Sequence, residues 1–162
     1  MAELHEGRWT SRFEAPFVLF LIGMRINKLW KVHRWGPVAA AMPRMIRELA
    51  ANPQLGFLGA NVWFARTILM VQYWRTFETL EAYAHTRDKA HLPAWSAFNR
   101  AIGANGDVGI FHETYRIEPG AYENVYVNMP SLLLGRIGAL VEARGGSSSA
   151  RDRMAKRPGH EA

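Results

Sequence analysis

Trp74 and Tyr83 flank the point where a strand pattern gives way to a helix pattern. His91 shares a helical stripe with Trp95, Phe98 and Ile102 at i, i+4, i+7 and i+11, and His112 shares a strand face with Ile110. Tyr115, Tyr122 and Tyr126 follow close behind in the chain. Polar groups set among large rings in this way would suit a flat apolar ligand held by a few polar anchors, in a cavity between a sheet and its helices. Arg25 and Asn27 close an apolar strand, where the guanidinium fork could hold a carboxylate or phenolate. Each reading has a plainer counterpart. A histidine on an apolar face can be a core residue bonded to backbone, rings are core residues first, and a charged strand end can simply be a solvated rim.

Other chemistries are excluded by what is missing. There are no cysteines, which removes disulfide scaffolds, zinc ribbons, iron–sulfur clusters and thiol nucleophiles. Gly103, Gly106 and Gly109 have neither dinucleotide nor P-loop spacing. No serine sits in a nucleophile elbow. His112-Glu113 starts like a zinc-binding H-E-x-x-H, but Arg116 stands where the second histidine belongs, and His85 and His91 are poorly spaced for joint ligation. No metal site is expected.

The 162 residues and 18.4 kDa allow one domain with its own core, expected over residues 1–143. Hydrophobic residues make up 49% and charged ones 21%, a globular balance. The net charge is +6, yet half of it falls in residues 144–162, where five basic groups meet only Asp152 and Glu161. That Gly/Ser-rich stretch reads as a disordered basic tail. Lys28, Lys31, His33 and Arg34 cluster beside Trp30 and Trp35 and would suit an anion. With no recognition helix or aromatic RNA platform, nucleic acid is not an expected partner. Glu3 and Glu6 stand where a signal peptide carries bases, and the longest apolar run, Pro16 to Met24, is about half a membrane span. The expectation is a cytoplasmic protein with no membrane partner.

The elements that must position these groups alternate between sheet and helix. Phe17–Ile26 reads as a strand with Val18, Phe20, Ile22, Met24 and Ile26 on one face. Lys28–Leu49 reads as an interrupted helix, broken near Pro37 or Pro43. Phe57–Phe64 and Thr67–Arg75 read as a hairpin turning at Ala65-Arg66, and Thr76 as the cap of a following helix. A second helical piece carries His91. Val108–Ile117 and Tyr122–Met129 read as strands, and Ser131–Ala143 holds a short apolar helix. The order strand, helix, strand, strand, helix, strand is the split βαβ, or ferredoxin-like, arrangement: an α+β fold with a four-stranded antiparallel sheet and its helices on one face. The other face needs a cover, and a second copy is the economical one, so a homodimer is expected.

Four segments, Phe17–Trp35, Val71–Ala84, His91–Gly103 and Gly109–Pro130, resemble a monooxygenase-like family related to the antibiotic-biosynthesis monooxygenases of the dimeric α+β barrel superfamily. The resemblance covers about residues 8–135. It implies a homodimer in which a small aromatic or polyketide-like substrate is deprotonated and its anion reduces dioxygen, with no cofactor. By residue type and place it implies His91 or His112 as base, Tyr83 and Trp74 beside it, and Arg25, Asn27, Trp95 and Tyr115 as substrate contacts. The same superfamily contains haem enzymes, both haem-degrading enzymes and aldoxime dehydratases. Under that alternative Asn27, Tyr83 and His91 follow the order of a haem site, with His91 on the iron, although the ring is Tyr where haem-degrading relatives carry Trp. A non-catalytic small-molecule-binding dimer is the third reading.

Overall fold

The computed structural model describes residues 3–85 and 106–155. Its strands and longer helices are β1 (Leu4–Arg12), β2 (Phe17–Ile26), α1 (Val32–Ala51), β3 (Phe57–Trp63), β4 (Thr67–Trp74), α2 (Phe77–His85), β5 (Val108–Ile117), β6 (Tyr126–Pro130) and β7 (Ala139–Glu142). They pack as two compact units, Leu19–Tyr115 in one and the first 18 residues with Arg116 onward in the other.

In the Leu19–Tyr115 unit the sheet order is β3-β4-β2-β5. The strands that open and close each βαβ half interleave, which is the ferredoxin-like order. Ile26 N–H donates to Arg66 C=O at 2.9 Å, and a Cβ on Gly23 would lie 2.9 Å from Ile68 C=O, so β2 and β4 run in opposite directions. The alternation read from β2 is borne out. Met24 and Ile26 join Ile68 and Val108 in a buried cluster, over which α1 lays Trp35, Val38, Ala39 and Met42. On the opposite face Phe111 lies over Gly23, where any side chain would meet its ring.

The expected break in the first helix does not occur: α1 runs through both Pro37 and Pro43. Each ring costs a helix hydrogen bond, but both prolines are exposed, and the apolar stripe packed on the sheet holds the helix across them. The hairpin turns where expected, with β3 and β4 antiparallel from Gly59↔Tyr73 to Trp63↔Leu69. Thr76 caps α2 as expected. Its Oγ1 accepts from Thr79 N–H at 3.2 Å, and Thr76 N–H donates back to Thr79 Oγ1 at 3.3 Å.

The other unit is a second sheet, of order β6-β1-β7. The late strand expected from the sequence belongs here, paired antiparallel to β1, which the sequence did not suggest. It starts at Tyr126 and not at Tyr122. The intervening side chains serve neighbouring backbone instead: Tyr122 OH donates to Phe13 C=O and accepts from Phe13 N–H, both at 2.8 Å, while Asn124 Oδ1 accepts from Ser11 N–H at 2.7 Å. Where a disordered tail is expected from residue 144, the described residues form a 3-10 turn at Gly145–Ser147 and a short helix at Ala150–Ala155. Arg153 anchors them, bridging Glu123 at 2.8 Å and donating to the carbonyls of Ser147 and Ser148.

Candidate functional site

Strand alternation sorts the site residues by face. Trp74, Gln72 and Met70 share the parity of Ile68, and Phe20 that of Met24, so all lie on the helix-covered face. His112 shares that face through Ile110, and its ring lies 5.9 Å from that of Phe20. Continuing the antiparallel register from Ile26 and Arg66 brings Phe20 level with Val71–Gln72. Phe111 over Gly23 sets His112 level with Ile22, two strands over from β4, and its side chain is exposed.

At the end of β4, the Trp74 ring sits 5.5 Å from the Tyr83 ring of α2 and 5.5 Å edge-on to Phe57. Trp74 and Tyr83 are both buried. The indole N–H donates to Gln72 Oε1 at 2.8 Å, and Gln72 Nε2 donates to Met70 Sδ at 2.8 Å. This buried polar string fixes the indole plane. Burial, with the nearby Glu48 carboxylate on α1 adding to it, holds the Tyr83 phenol far above its ordinary pKa. Tyr83 is thus a neutral hydrogen-bond donor and not a base.

Arg25, Asn27 and Tyr115 stand apart from this group. Arg25 shares the Gly23 face, opposite the helices, and donates to Thr67 Oγ1 at 3.1 Å. Asn27 Nδ2 donates to Gly106 C=O at 3.1 Å, at the end of β2 beside Arg66. Trp74 is eight residues along β4 from Arg66, about 26 Å at 3.3 Å per residue, so Asn27 and Trp74 occupy opposite ends of the sheet. Tyr115 has the parity of Phe111 and donates to Glu113, and that hydrogen bond, with the carboxylate's charge behind it, raises the phenol's pKa. His91 and Trp95 lie outside the described residues.

Three polar residues of the arrangement escaped the sequence reading. Gln72 is the middle of TILMVQYWR, and a lone amide in an apolar strand was a usable signal. Glu48 carried none, since it flanks the inward stripe of α1. Asp107 is wholly buried and takes Lys28 on one carboxylate oxygen and Lys31 on the other, each at 2.7 Å. Those two lysines, first Lys28 and then Lys31, bring its pKa down to about 2. Its carbonyl also accepts from Asn27 and Lys28 N–H, so it fastens the β2–α1 loop to the start of β5.

Residues 17–134 match the family described as monooxygenase af470-like. The chain belongs to this family. The match spans β2 through β6 and contains every candidate site residue named in this subsection. Monooxygenase af470 of Aspergillus fumigatus is 28% identical, over 84% of this chain and 56% of that protein, so the chain spans about half the length of the curated relative it matches. Among solved structures, an aldoxime dehydratase in complex with butyraldoxime superposes with a TM-score of 0.66 at 16% identity, over 86% of this chain and 44% of that one. The cofactor-independent oxygenase SnoaB of Streptomyces nogalater gives 0.45 at 13% identity, over 62% of this chain and 92% of that one. At such identities the likeness to the dehydratase is one of fold.

Proposed function

We propose that this protein is a homodimeric monooxygenase that oxidises a small aromatic or polyketide-like molecule with dioxygen and without a cofactor. Membership of a monooxygenase family, across the segment that holds these residues, carries the reading. The group on the helix-covered face supplies what such a reaction asks of a protein. An imidazole, His112 or His91, takes the phenolic proton. Tyr83, held neutral, donates to the developing anion, and Trp74, Phe20 and Phe57 give the ring an apolar bed. The substrate anion then passes electrons to dioxygen. For an anthrone the sum is one dioxygen consumed, one oxygen atom gained by the ring as a quinone, and one water released.

Oxygen uptake with a panel of anthrones and hydroxyanthracenes tests it. Turnover is expected, and His112→Ala or His91→Ala should lower kcat by about 10²–10⁴, the worth of a positioned general base. No uptake across the panel sinks the reading.

A haem site built from Asn27, Tyr83 and His91 needs those groups together. The described residues do not provide this, because Asn27 is engaged with Gly106 at one end of the sheet while Tyr83 packs on Trp74 at the other. Titration with hemin is therefore expected to leave the free-hemin spectrum unchanged, and a shifted Soret band lost in His91→Ala would restore the haem reading.

A further inference from the structure

The end of the Leu19–Tyr115 unit far from Trp74 carries a surface that the proposed reaction does not use. The β2–α1 loop and the β3–β4 turn meet there, stitched by Arg66. Its carbonyl accepts from Ile26 N–H at 2.9 Å, and its guanidinium donates to the carbonyls of Ile26 and Asn27 at 3.3 Å each. The first loop and the start of α1 expose Leu29 (52%), Trp30 (75%) and Val32 (55%), and the end of β3 with the second turn exposes Trp63 (41%) and Phe64 (67%). Single exposed apolar residues are ordinary, but five large ones at two adjoining connections form a patch that calls for a partner.

The loop is built to present them. Trp35 Nε1 donates to Leu29 C=O at 3.0 Å, and the Asp107 carbonyl and carboxylate hold Asn27, Lys28 and Lys31 from beneath. Charge then selects the partner. The stretches Asn27–Arg34 and Trp63–Thr67 contain no acid, while Lys28, Lys31, Arg34 and Arg66 lie within them and Arg25 beside them. Asp107 takes both Lys28 and Lys31, one carboxylate against two ammonium groups. Nucleic acid would take the cations but leave Leu29, Val32 and Phe64 in water. A lipid surface takes both: rings and aliphatic chains enter the headgroup–acyl boundary while lysine and arginine meet the phosphates.

We propose that this tip docks the protein on an anionic membrane surface. No helix among the described residues is long and apolar enough to cross a membrane. The inference stands independently of the proposed reaction, since the tip is about 26 Å along β4 from Trp74.

The test is sedimentation of the full-length protein with vesicles of phosphatidylcholine alone and of phosphatidylcholine mixed with phosphatidylserine. Binding to the mixed vesicles is expected, with release at high salt. The double substitution Trp30→Ser, Phe64→Ser should weaken partitioning by about tenfold or more, with the melting temperature unchanged because both side chains are exposed. Indifference to phosphatidylserine, or to the double substitution, overturns the proposal. So does a wild-type protein that ignores vesicles but is split into monomers by the double substitution, which would give the tip to a second copy of this chain.

Discussion

Asp107 shows how one buried charge can organise a loop. Its carboxylate is ionised in the fold because Lys28 and Lys31 donate to it, and its pKa falls from 3.8 to about 2. A depressed carboxylate stabilises the fold in full above its unfolded pKa and loses that contribution as pH falls through the folded value. Thermal melts should therefore show Asp107→Asn below wild type at neutral pH, with the gap closing between about pH 4 and pH 2. A gap that persists at pH 2 would mean that the ion pairs are not its source. Tyr83 gives the catalytic counterpart. As a neutral donor held beside Trp74, it should matter for turnover more than for binding, so Tyr83→Phe is expected to lower kcat by about 10²-fold with little change in KM. Steady-state oxygen uptake separates the two.

Secondary-structure elements explain the next set of outcomes. Packing of Trp35, Val38, Ala39 and Met42 carries α1 through two prolines, and each proline remains a local cost. Pro43→Ala should raise stability by about 1–3 kcal/mol, the restored helix bond less the extra freedom of the unfolded chain, as read by urea denaturation. Gly56 is the reverse case. It closes the turn before β3 at φ +81°, and a Cβ there would lie 2.6 Å from Thr79 Oγ1, inside the α2 cap. Gly56→Ala should cost at least about 1–3 kcal/mol, by backbone strain and loss of the reciprocal threonine bonds. β1 was illegible for an elemental reason too. In LHEGRWTSR the two buried residues, Thr10 and Ser11, are adjacent and polar, so it carries little alternation, and it pairs with β6 more than a hundred residues away across a bulge between His5 and Arg8.

For the whole molecule, the proposed homodimer makes the simplest prediction. Phe111 remains 38% exposed on the sheet face opposite the helices, lying over Gly23. Sedimentation equilibrium at micromolar concentration should return twice the 18.4 kDa chain mass, and Phe111→Glu should shift it toward the monomer. A monomeric wild type would remove the dimer from the proposal.

The ferredoxin-like order was legible because each strand of the β3-β4-β2-β5 sheet declares itself locally, through an apolar run, a period of two, a short turn and a threonine cap. These signals need only neighbours in the chain. His112, Trp74 and Tyr83 could be named as residue types for the same reason. Which of them meet was a matter for the fold. Parity and register set His112 on the face of Phe20 and Trp74, and the opposite run of β2 and β4 sends Asn27 to the far end. The Asp107 clamp joins side chains 76 residues apart, and the exposed tip joins two loops that Arg66 ties together. Such contacts depend on distances in space, which spacing along the chain does not encode.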